Sequence, residues 1–253
     1  MSTQFPTITL LVTHYNRSQS LERLLKAFQK QEIVFGDIVV SDDGSKPVHV
    51  ERLKEMATLY NFNLVTAAKN GGLGRNINKG QDAVKTPYTL YVQEDFDPFA
   101  GYAERLTDAL GIMDERADVD LVRFYAYFKY PYLKPFRKGF SEMVFKIWYP
   151  GHKKFHVYSD HPHLRRTTFF QKFGRYAEGI KGDRTEFLMN ISFIKKKGKA
   201  MFYEDFKGVF DQINSSDEPS TMTRSDLRQS NNLLVAIARN IYRNIKHTWE
   251  VLF

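Results

Sequence analysis

The chain has 253 residues, about one and a half to two times the length of a typical domain, so it can bury a core without covalent cross-links. Hydrophobic residues at 42% and charged residues at 26% are ordinary globular values, which excludes the disordered and fibrous classes. The absence of cysteine excludes disulfides, thiolate catalysis and cysteine-bound metals. The net charge of +8 favours anionic partners such as nucleotides, nucleic acid or an acidic membrane surface.

The sequence shows neither a membrane-spanning pattern nor a secretion signal. Its longest aliphatic run, Leu233 to Ala238, is far shorter than the roughly 20 residues that cross a bilayer. The segment from Met1 to Val12 has no basic residue before its apolar run and no cleavage-site pattern. We therefore expect a cytoplasmic protein.

The first hundred residues alternate between strand and helix patterns. Strands are predicted at Ile8 to Val12, Asp37 to Ser41, Asn63 to Ala67 and Thr89 to Val92. Helices are predicted from Ser18 or Ser20 as the capping residue, from about Val48 to Tyr60, and near Ile77 to Val84. This order predicts an α/β fold with a mostly parallel central sheet flanked by helices.

The second half is less regular. A helix is predicted from Tyr102 to Met113 and a strand from Leu121 to Tyr125, followed by hairpins and long loops from Tyr127 to Pro162. Helical patterns return at Arg165 to Phe173, at Arg184 to Lys197, and as one long amphipathic helix from Ser225 to Phe253.

Polar residues follow each of the first four predicted strands. These segments are Thr13 to Arg17, Asp42 and Asp43, Gly71 to Arg75, and Glu94 to Asp97. Because parallel strands end at one edge of a sheet, we expect the four segments to converge there and to form a ligand site.

The glycine-rich segment from Asn70 to Asn76 matches neither a dinucleotide fingerprint nor a phosphate-binding Walker loop, because residue 77 is Ile and no Gly-Lys-Ser/Thr follows. A tight turn is one interpretation. Arg75 within the segment favours the other, which is anion binding.

Three carboxylates stand together at Glu94, Asp95 and Asp97, where they repel one another unless a positive charge lies among them. A divalent cation such as Mg or Mn would supply that charge and bridge to a diphosphate. The alternative is an acidic helix start, with Asp97 and Pro98 capping the helix that follows.

Four motifs together resemble, in order and spacing, the inverting family-2 glycosyltransferases of GT-A fold, of the kind found in bacterial surface-polysaccharide synthesis. They are ITLLVTHYNR from Ile8, DIVVSDDGS from Asp37, NGGLGRNINKG from Asn70 and YVQEDFDP from Tyr91. The resemblance covers roughly residues 5 to 215. It implies the nucleotide-diphospho-sugar transferase fold.

The same resemblance implies a nucleotide site. Thr13 and Tyr15 match the first-strand loop that lies against the base, and Asp43 matches the aspartate that bonds the base, with Asp42 beside it. Arg75 falls in the loop that reaches the nucleotide.

A metal site is implied as well, holding Mn or Mg. Asp95 matches the last carboxylate of the family's D-x-D element, which binds the metal and the diphosphate. The first position of that element is Gln93 here, so Glu94 is the second candidate ligand, and Asp97 can also compensate.

The general base that inversion requires is implied at Asp183, in the stretch GDRTE that resembles the family's (E/G)-D-x-x-(F/L) element. The residues alone favour a helix cap at Asp183, with Glu186 completing a capping-box-like spacing, and together with the resemblance both roles can hold. The stretch from Asp160 to His163 resembles the family segment that lines the acceptor side of the cleft, which makes His161 a candidate to contact the sugar or the diphosphate. A zinc site formed by His161 and His163 is the rival interpretation.

We predict a catalytic domain over residues 1–222, with a nucleotide-binding half (1–100) and an acceptor half (101–222), and a helical extension over 223–253. The extension has an apolar face formed by Leu234, Ile237, Ala238, Ile241, Ile245, Trp249 and Leu252, with Arg239, Arg243 and Lys246 on or beside the other face. This helix either docks on the domain or attaches to the inner face of an anionic membrane.

The predicted function is metal-dependent, inverting transfer from a nucleotide-diphospho-sugar, with UDP as the family's commonest base, to a saccharide or lipid-linked saccharide acceptor in cell-surface polysaccharide synthesis. A sugar nucleotidyltransferase is disfavoured because the loop from Thr13 to Arg17 lacks the required glycines. A non-catalytic saccharide- or membrane-binding protein on a decayed scaffold is the alternative that Gln93 supports. Nucleic-acid binding is not expected, because the basic residues match no recognised module.

Overall fold

The computed structural model describes residues 2–214, 218 and 233–253. The first part alternates strands and helices as predicted. Its elements are β1 (Thr3–His14), α1 (Ser18–Lys30), β2 (Ile33–Asp42), α2 (Pro47–Tyr60), β3 (Asn63–Val65), α3 (Leu73–Asp82), β4 (Tyr88–Gln93), β5 (Phe96–Pro98) and α4 (Tyr102–Glu115).

The second part mixes short strands with helices. Its elements are β6 (Leu121–Arg123), β7 (Leu133–Arg137), β8 (Phe140–Met143), β9 (His163–Arg166), α5 (Phe169–Phe173), α6 (Gly182–Lys195), β10 (Ala200–Tyr203), β11 (Phe210–Gln212) and α7 (Leu233–Leu252). Two short 3-10 helices lie at His152–Phe155 and Phe206–Gly208. Hairpins were predicted between Tyr127 and Pro162, and the pairing of β7 with β8 confirms one.

Within the described residues, one large sheet has the order β3-β2-β1-β4-β9-β6-β10-β8-β7. The first four strands are parallel, as predicted. Beyond β4 the sheet is mixed, because β9 runs antiparallel to both β4 and β6. A small second sheet pairs β5 with β11 and carries the chain back toward the end of β4.

Two apolar layers cover the sheet. Alternate residues of β1 point to opposite faces, so Leu10 and Val12 join one layer and Leu11 joins the other. The first layer packs α1, α2 and α4 against the sheet, and the second packs α3, α5 and α6. The predicted buried face of α1 is confirmed at Leu21, Leu24, Leu25 and Phe28.

Three local predictions are wrong. The predicted helix Arg165 to Phe173 is confirmed only at α5 (Phe169–Phe173), because Arg165 and Arg166 belong to β9, which hydrogen-bonds to strands on both sides. Arg17 is the N-cap of α1, since the Ser18 hydroxyl lies 2.9 Å from His49 Nδ1 and the Ser20 hydroxyl donates to Glu218. Helix α3 begins at Leu73, so the glycine-rich segment runs directly into its first turn.

The C-terminal helix is confirmed as α7, over 233–252. The predicted start at Ser225 and the predicted domain boundary at 222/223 lie outside the described residues. No helix in the described part of the chain is both long and apolar enough to cross a membrane.

The close approach of α3 to the sheet gives a stability test. A Cβ on Gly80 would lie 2.6 Å from Leu11 Cδ1 and 2.8 Å from Ser41 Cβ, both in the packed interior. We expect Gly80→Ala to lower the free energy of unfolding by about 1–3 kcal/mol, because overpacking forces neighbouring groups apart. Urea unfolding measures the change.

Gly111→Ala is the matched control for this experiment. Gly111 lies within α4, and a Cβ there would meet nothing within 4 Å. Alanine should therefore stabilise this helix by about 0.5–1 kcal/mol. Equal effects of the two substitutions would contradict close packing of α3 on β1 and β2.

Candidate active site

The carboxyl ends of the three central strands lie side by side. In the strand register, His14 pairs with Asp42 across β1 and β2, and Thr13 pairs with Gln93 across β1 and β4. The predicted convergence of the loops that follow these strands is therefore confirmed for the first, second and fourth strands.

Asp42 holds the first two of these loops together. Its carboxylate lies 2.8 Å from His14 Nδ1, and it accepts hydrogen bonds from the Ser45 hydroxyl (2.5 Å) and the Ser45 backbone N–H (3.1 Å). Burial raises the pKa of Asp42, but the hydrogen bonds from His14 and Ser45 outweigh it and leave the pKa below its ordinary value. These contacts make Asp42 a loop-fixing group whose oxygens are already occupied.

Asp43 fixes the glycine-rich segment. Its two carboxylate oxygens accept the backbone N–H groups of Gly71 (2.9 Å) and Gly72 (2.8 Å), directly before α3. Burial raises the pKa of Asp43, while these two bonds and the nearby cations Lys79 and Arg75 lower it in part. Arg75 itself is half-buried in the first turn of α3, beside Gly71.

The remaining residues of the predicted nucleotide site lie at the end of β1. Thr13 is buried, and its hydroxyl lies 3.0 Å from the Tyr91 hydroxyl on β4. Tyr15 is half-buried in the loop between β1 and α1. Thr13, Tyr15, Asp42, Asp43 and Arg75 thus all lie at the same edge of the sheet.

The acidic segment after β4 encloses an arginine that sequence reasoning did not single out. Arg17 Nη1 lies 3.2 Å from Asp95 Oδ2 and 3.8 Å from Glu94 Oε1, and all three side chains are nearly buried. Burial and the Asp95 charge raise the pKa of Glu94 to about 8, against the opposing effect of Arg17. The positive charge that the acidic cluster requires is therefore present in the chain itself.

Asp97 does not belong to this group. It lies in β5, and one of its carboxylate oxygens accepts a hydrogen bond from Arg23 Nε at 2.8 Å. The interpretation of Asp97 as the cap of the next helix is wrong, because the N-cap of α4 is Gly101.

The donor set for a metal is incomplete in the protein alone. The described residues contain no group of three or more His, Asp or Glu side chains that could hold an ion. Asp95 Oδ1 is nevertheless buried without a hydrogen-bond partner, while Oδ2 accepts from Gln212 Nε2 at 3.0 Å. One unpartnered carboxylate oxygen fits the usual Mg²⁺ pattern, in which one or two carboxylates are completed by water and substrate phosphates.

Asp183 lies in the first turn of α6, and the N-cap of this helix is Lys181, so the cap interpretation of Asp183 is wrong. The start of α6 packs against the start of α3, where a Cβ on Gly182 would lie 3.5 Å from Leu73 Cδ2. Asp183 follows Gly182 directly, so it lies near the start of α3, the helix that carries Arg75. Glu186 does not complete a capping box, because its carboxylate accepts the backbone N–H of Asp160 at 3.1 Å.

A buried polar cluster lies behind α6. The Asp160 carboxylate accepts hydrogen bonds from the hydroxyls of Tyr176 (2.8 Å) and Tyr158 (3.2 Å), and its Oδ2 has no partner. Burial and the Glu186 charge raise the pKa of Asp160 well above its ordinary range. Sequence reasoning missed this cluster, although the acidic residue before His161 was the available signal.

His161 lies in an aromatic wall. Its ring centroid is 4.5 Å from that of Tyr127 and 5.3 Å from that of Tyr125, and its Nδ1 is buried without a partner. Burial lowers the pKa of His161 to about 3, so the imidazole is neutral. The rival zinc site gains no support, because His163 Nδ1 lies 2.8 Å from the His161 carbonyl oxygen and, among the described residues, no third ligand joins the two histidines.

The segment after β11 connects the acidic group to this wall. Gln212 donates to Asp95, and its Oε1 accepts the Tyr127 hydroxyl at 2.9 Å. Asn214 Oδ1 accepts from Arg17 Nη2 at 3.1 Å. Gln212 and Asn214 were also missed, because nothing in the local sequence indicates that β11 pairs with β5 beside Asp95.

The chain resembles known glycosyltransferases in sequence. A family model described as glycosyl transferase family 2 matches residues 9–176. A cholesterol galactosyltransferase of Borreliella burgdorferi is 22% identical over 260 residues, covering 97% of this chain and 72% of the relative. The putative glycosyltransferase EpsH of Bacillus subtilis is 26% identical over 106 residues, covering 42% of this chain and 31% of the relative.

Solved structures show the same fold. S. aureus TarS 1-349 in complex with UDP-GlcNAc matches with a TM-score of 0.64 and 16% identity, over 97% of this chain and 71% of that one. TarS 1-349 without that ligand matches with a TM-score of 0.60 and 18% identity, over 81% of this chain and 59% of that one. The predicted GT-A fold is confirmed by these matches.

The raised pKa of Asp160 predicts how stability depends on pH. Because the folded state holds this proton more tightly than the unfolded state, its stabilising contribution is complete below the ordinary carboxyl pKa of about 4 and is lost as the pH rises. Asp160→Asn keeps an acceptor for the two tyrosines but cannot ionise. We expect its free energy of unfolding, measured in urea from acid to neutral pH, to fall less than that of the parent. Parallel pH slopes would show that Asp160 titrates normally.

Proposed function

The chain belongs to glycosyl transferase family 2, and we propose that it is an inverting glycosyltransferase that uses a nucleotide-diphospho-sugar. The proposal rests on one observation: three groups of residues come together at one edge of the sheet. The Asp43 clamp on Gly71 and Gly72, the buried Asp95, and the start of α6 with Asp183 all adjoin the ends of the parallel strands or the start of α3. Donor and base are expected at such an edge.

The proposed donor is a UDP-sugar. Thr13, Tyr15 and Asp43 would contact the base, with Asp42 holding the loop, and Arg75 at the start of α3 would face the diphosphate. A helix start favours anionic groups, because its first backbone N–H groups point outward unbonded. TarS structures were solved with UDP-GlcNAc and with UDP, which supports UDP as the nucleotide.

We propose that Asp95 binds a divalent metal, Mn or Mg, with Glu94 as the second ligand. The unpartnered Asp95 Oδ1 supports this assignment. When bound, the metal would neutralise negative charge that develops on the departing diphosphate. Arg17, which already contacts both carboxylates, would keep their charge balanced and orient them.

Asp183 is the proposed general base. Inversion requires one carboxylate that accepts the proton of the acceptor hydroxyl as that oxygen attacks the anomeric carbon from the side opposite the leaving group. The position of Asp183 in the first turn of α6, beside the start of α3, supports this role. The protein forms no covalent bond in this reaction.

The acceptor would approach along the aromatic wall that contains His161. A cavity of about 170 Å³ lies there, and aside from Ala126 its lining is aromatic or polar: Arg123, Tyr127, Phe128, Tyr130, His156, Ser159, His161 and Glu186. Aromatic faces with nearby polar groups suit a saccharide or lipid-linked saccharide. The relative in B. burgdorferi is named for transfer to cholesterol, which supports a lipid-bearing acceptor. We place this activity in surface-polysaccharide synthesis at the cytoplasmic side.

The second candidate is a non-catalytic saccharide- or membrane-binding protein on a decayed scaffold. Two observations favour it: Gln93 replaces the first carboxylate of the metal element, and Arg17 already neutralises the remaining ones. The two experiments below separate the candidates.

Asp183→Asn tests the base. Removing a general base costs roughly 10²–10⁴ in turnover, so we expect a loss of this size in sugar transfer while UDP affinity stays unchanged. Radiolabelled transfer and calorimetric titration measure the two quantities. Asp82→Asn is the matched control, because Asp82 pairs with Arg175 at the surface and should leave both unchanged. Full turnover by Asp183→Asn would contradict the assignment of Asp183 as the general base.

Calorimetric titration with UDP, GDP and dTDP, each with and without Mn, tests the donor and the metal. We expect Mn-dependent binding of UDP, and at least a tenfold lower affinity in Asp95→Asn. Mutation of residues that only hydrogen-bond to metal ligands already lowers metal affinity about 10–100-fold, and Asp95 is a proposed ligand. Asp97→Asn is the control, since Asp97 pairs with Arg23. Absence of binding for all three nucleotides would favour the non-catalytic candidate.

A further inference from the structure

Helix α7 docks on the catalytic domain through its polar edge. Glu250 accepts a hydrogen bond from Arg184 Nη1 at 2.6 Å, and the His247 ring lies 4.1 Å from the Phe187 ring, both partners being on α6. Asn240 Oδ1 lies 2.9 Å from His152 Nδ1. Residues 244, 247 and 251 are half-buried and recur at helical spacing, so they form the face of α7 that lies toward the domain.

The apolar face of α7 points away from the domain. Its residues recur at the same spacing on the opposite side, and each is more than half exposed: Ile241, Ile245, Trp249 and Leu252. Tyr242 and Phe253 beside them are exposed as well. The interpretation that this apolar face docks on the domain is therefore wrong. A continuous exposed apolar surface of this kind marks an interaction site.

The exposed charge beside this face is basic. Lys246 is exposed at the border of the apolar face, whereas Arg239 and Arg243 are half-buried and interact with His152 of the domain. The one acidic residue in the sequence of α7 is Glu250, and it is held by Arg184. The whole chain has a net charge of +8.

We propose that the exposed face of α7, formed by Ile241, Ile245, Trp249 and Leu252 with Lys246 at its border, binds the surface of an anionic membrane. Apolar side chains would enter the headgroup region, while the Lys246 ammonium would meet lipid phosphates. A second copy of the chain fits less well, because face-to-face pairing of two such helices would bring basic borders together without an acidic counterpart. Membrane binding of this kind does not depend on the transfer reaction proposed above.

Tryptophan fluorescence reports this contact directly. The chain has two tryptophans, Trp148 and Trp249, so Trp148→Phe leaves a single reporter in the proposed surface. We expect its emission to shift to shorter wavelength, and to be quenched by brominated lipid, when phosphatidylglycerol-containing vesicles are added. Vesicles of phosphatidylcholine alone should give a much weaker effect, and added salt should reverse the binding.

Matched variants distinguish insertion of the α7 face into the membrane from nonspecific adsorption of the protein to vesicles. Ile245 is 66% exposed on α7, and Leu59 is 69% exposed on α2. In cosedimentation with anionic vesicles we expect at least a tenfold loss of partitioning for Ile245→Glu and none for Leu59→Glu. Lys246→Glu should lower partitioning by about tenfold, because it exchanges an attraction for a repulsion at the lipid surface.

Two results would overturn the proposal. One is unchanged Trp249 emission in the presence of anionic vesicles, or equal partitioning of Ile245→Glu and the parent. The other is a concentration-dependent emission shift without vesicles, together with a dimer mass in light scattering that Ile245→Glu abolishes. That second result would assign the face to another copy of the chain.

Discussion

The parallel register of β1 against β2 and β4 is the constraint on which the site depends. A strand places successive side chains on opposite faces, so a shift of one residue would move every apolar group of β1 to the wrong layer. Leu10, Leu11 and Val12, all fully buried in two different layers, fix that register. Once it is fixed, His14 must lie beside Asp42 and Thr13 beside Gln93, so the core determines where the polar loops begin.

The loops are then held by their own carboxylates. Asp42 binds groups within the first and second loops, and Asp43 binds the backbone at the start of α3. Buried carboxylates without partners are costly, and each of these two has at least two hydrogen bonds. The acidic group after β4 is different, because its charge is balanced by Arg17 and one oxygen of Asp95 stays unpartnered. The Asp42 and Asp43 carboxylates are therefore held by hydrogen bonds, whereas Asp95 keeps unused bonding capacity.

Local patterns predicted the parallel half of the fold well. The strand and helix patterns before residue 115 correspond to β1 to β4 and α1 to α4, because each unit buries an apolar face with its own period, whereas the short strand β5 was not predicted. The errors came from long-range pairing. The His163–Arg166 segment becomes a strand through its neighbours β4 and β6, and its buried Arg165 is accommodated by Gln81 and aromatic rings, none of which is adjacent in sequence. Arg17 was missed for the same reason, since its partners are about 80 residues away.

Helix α6 connects the proposed general base with the C-terminal helix α7. Its first turn carries Asp183 and Arg184 and its second carries Phe187, and Arg184 and Phe187 both contact α7. A membrane bound by the outer face of α7 would therefore lie on the far side of α7 from the helix that carries the proposed base. Because α7 docks through Asn240, His247 and Glu250, its apolar side stays free for the proposed contact with a bilayer.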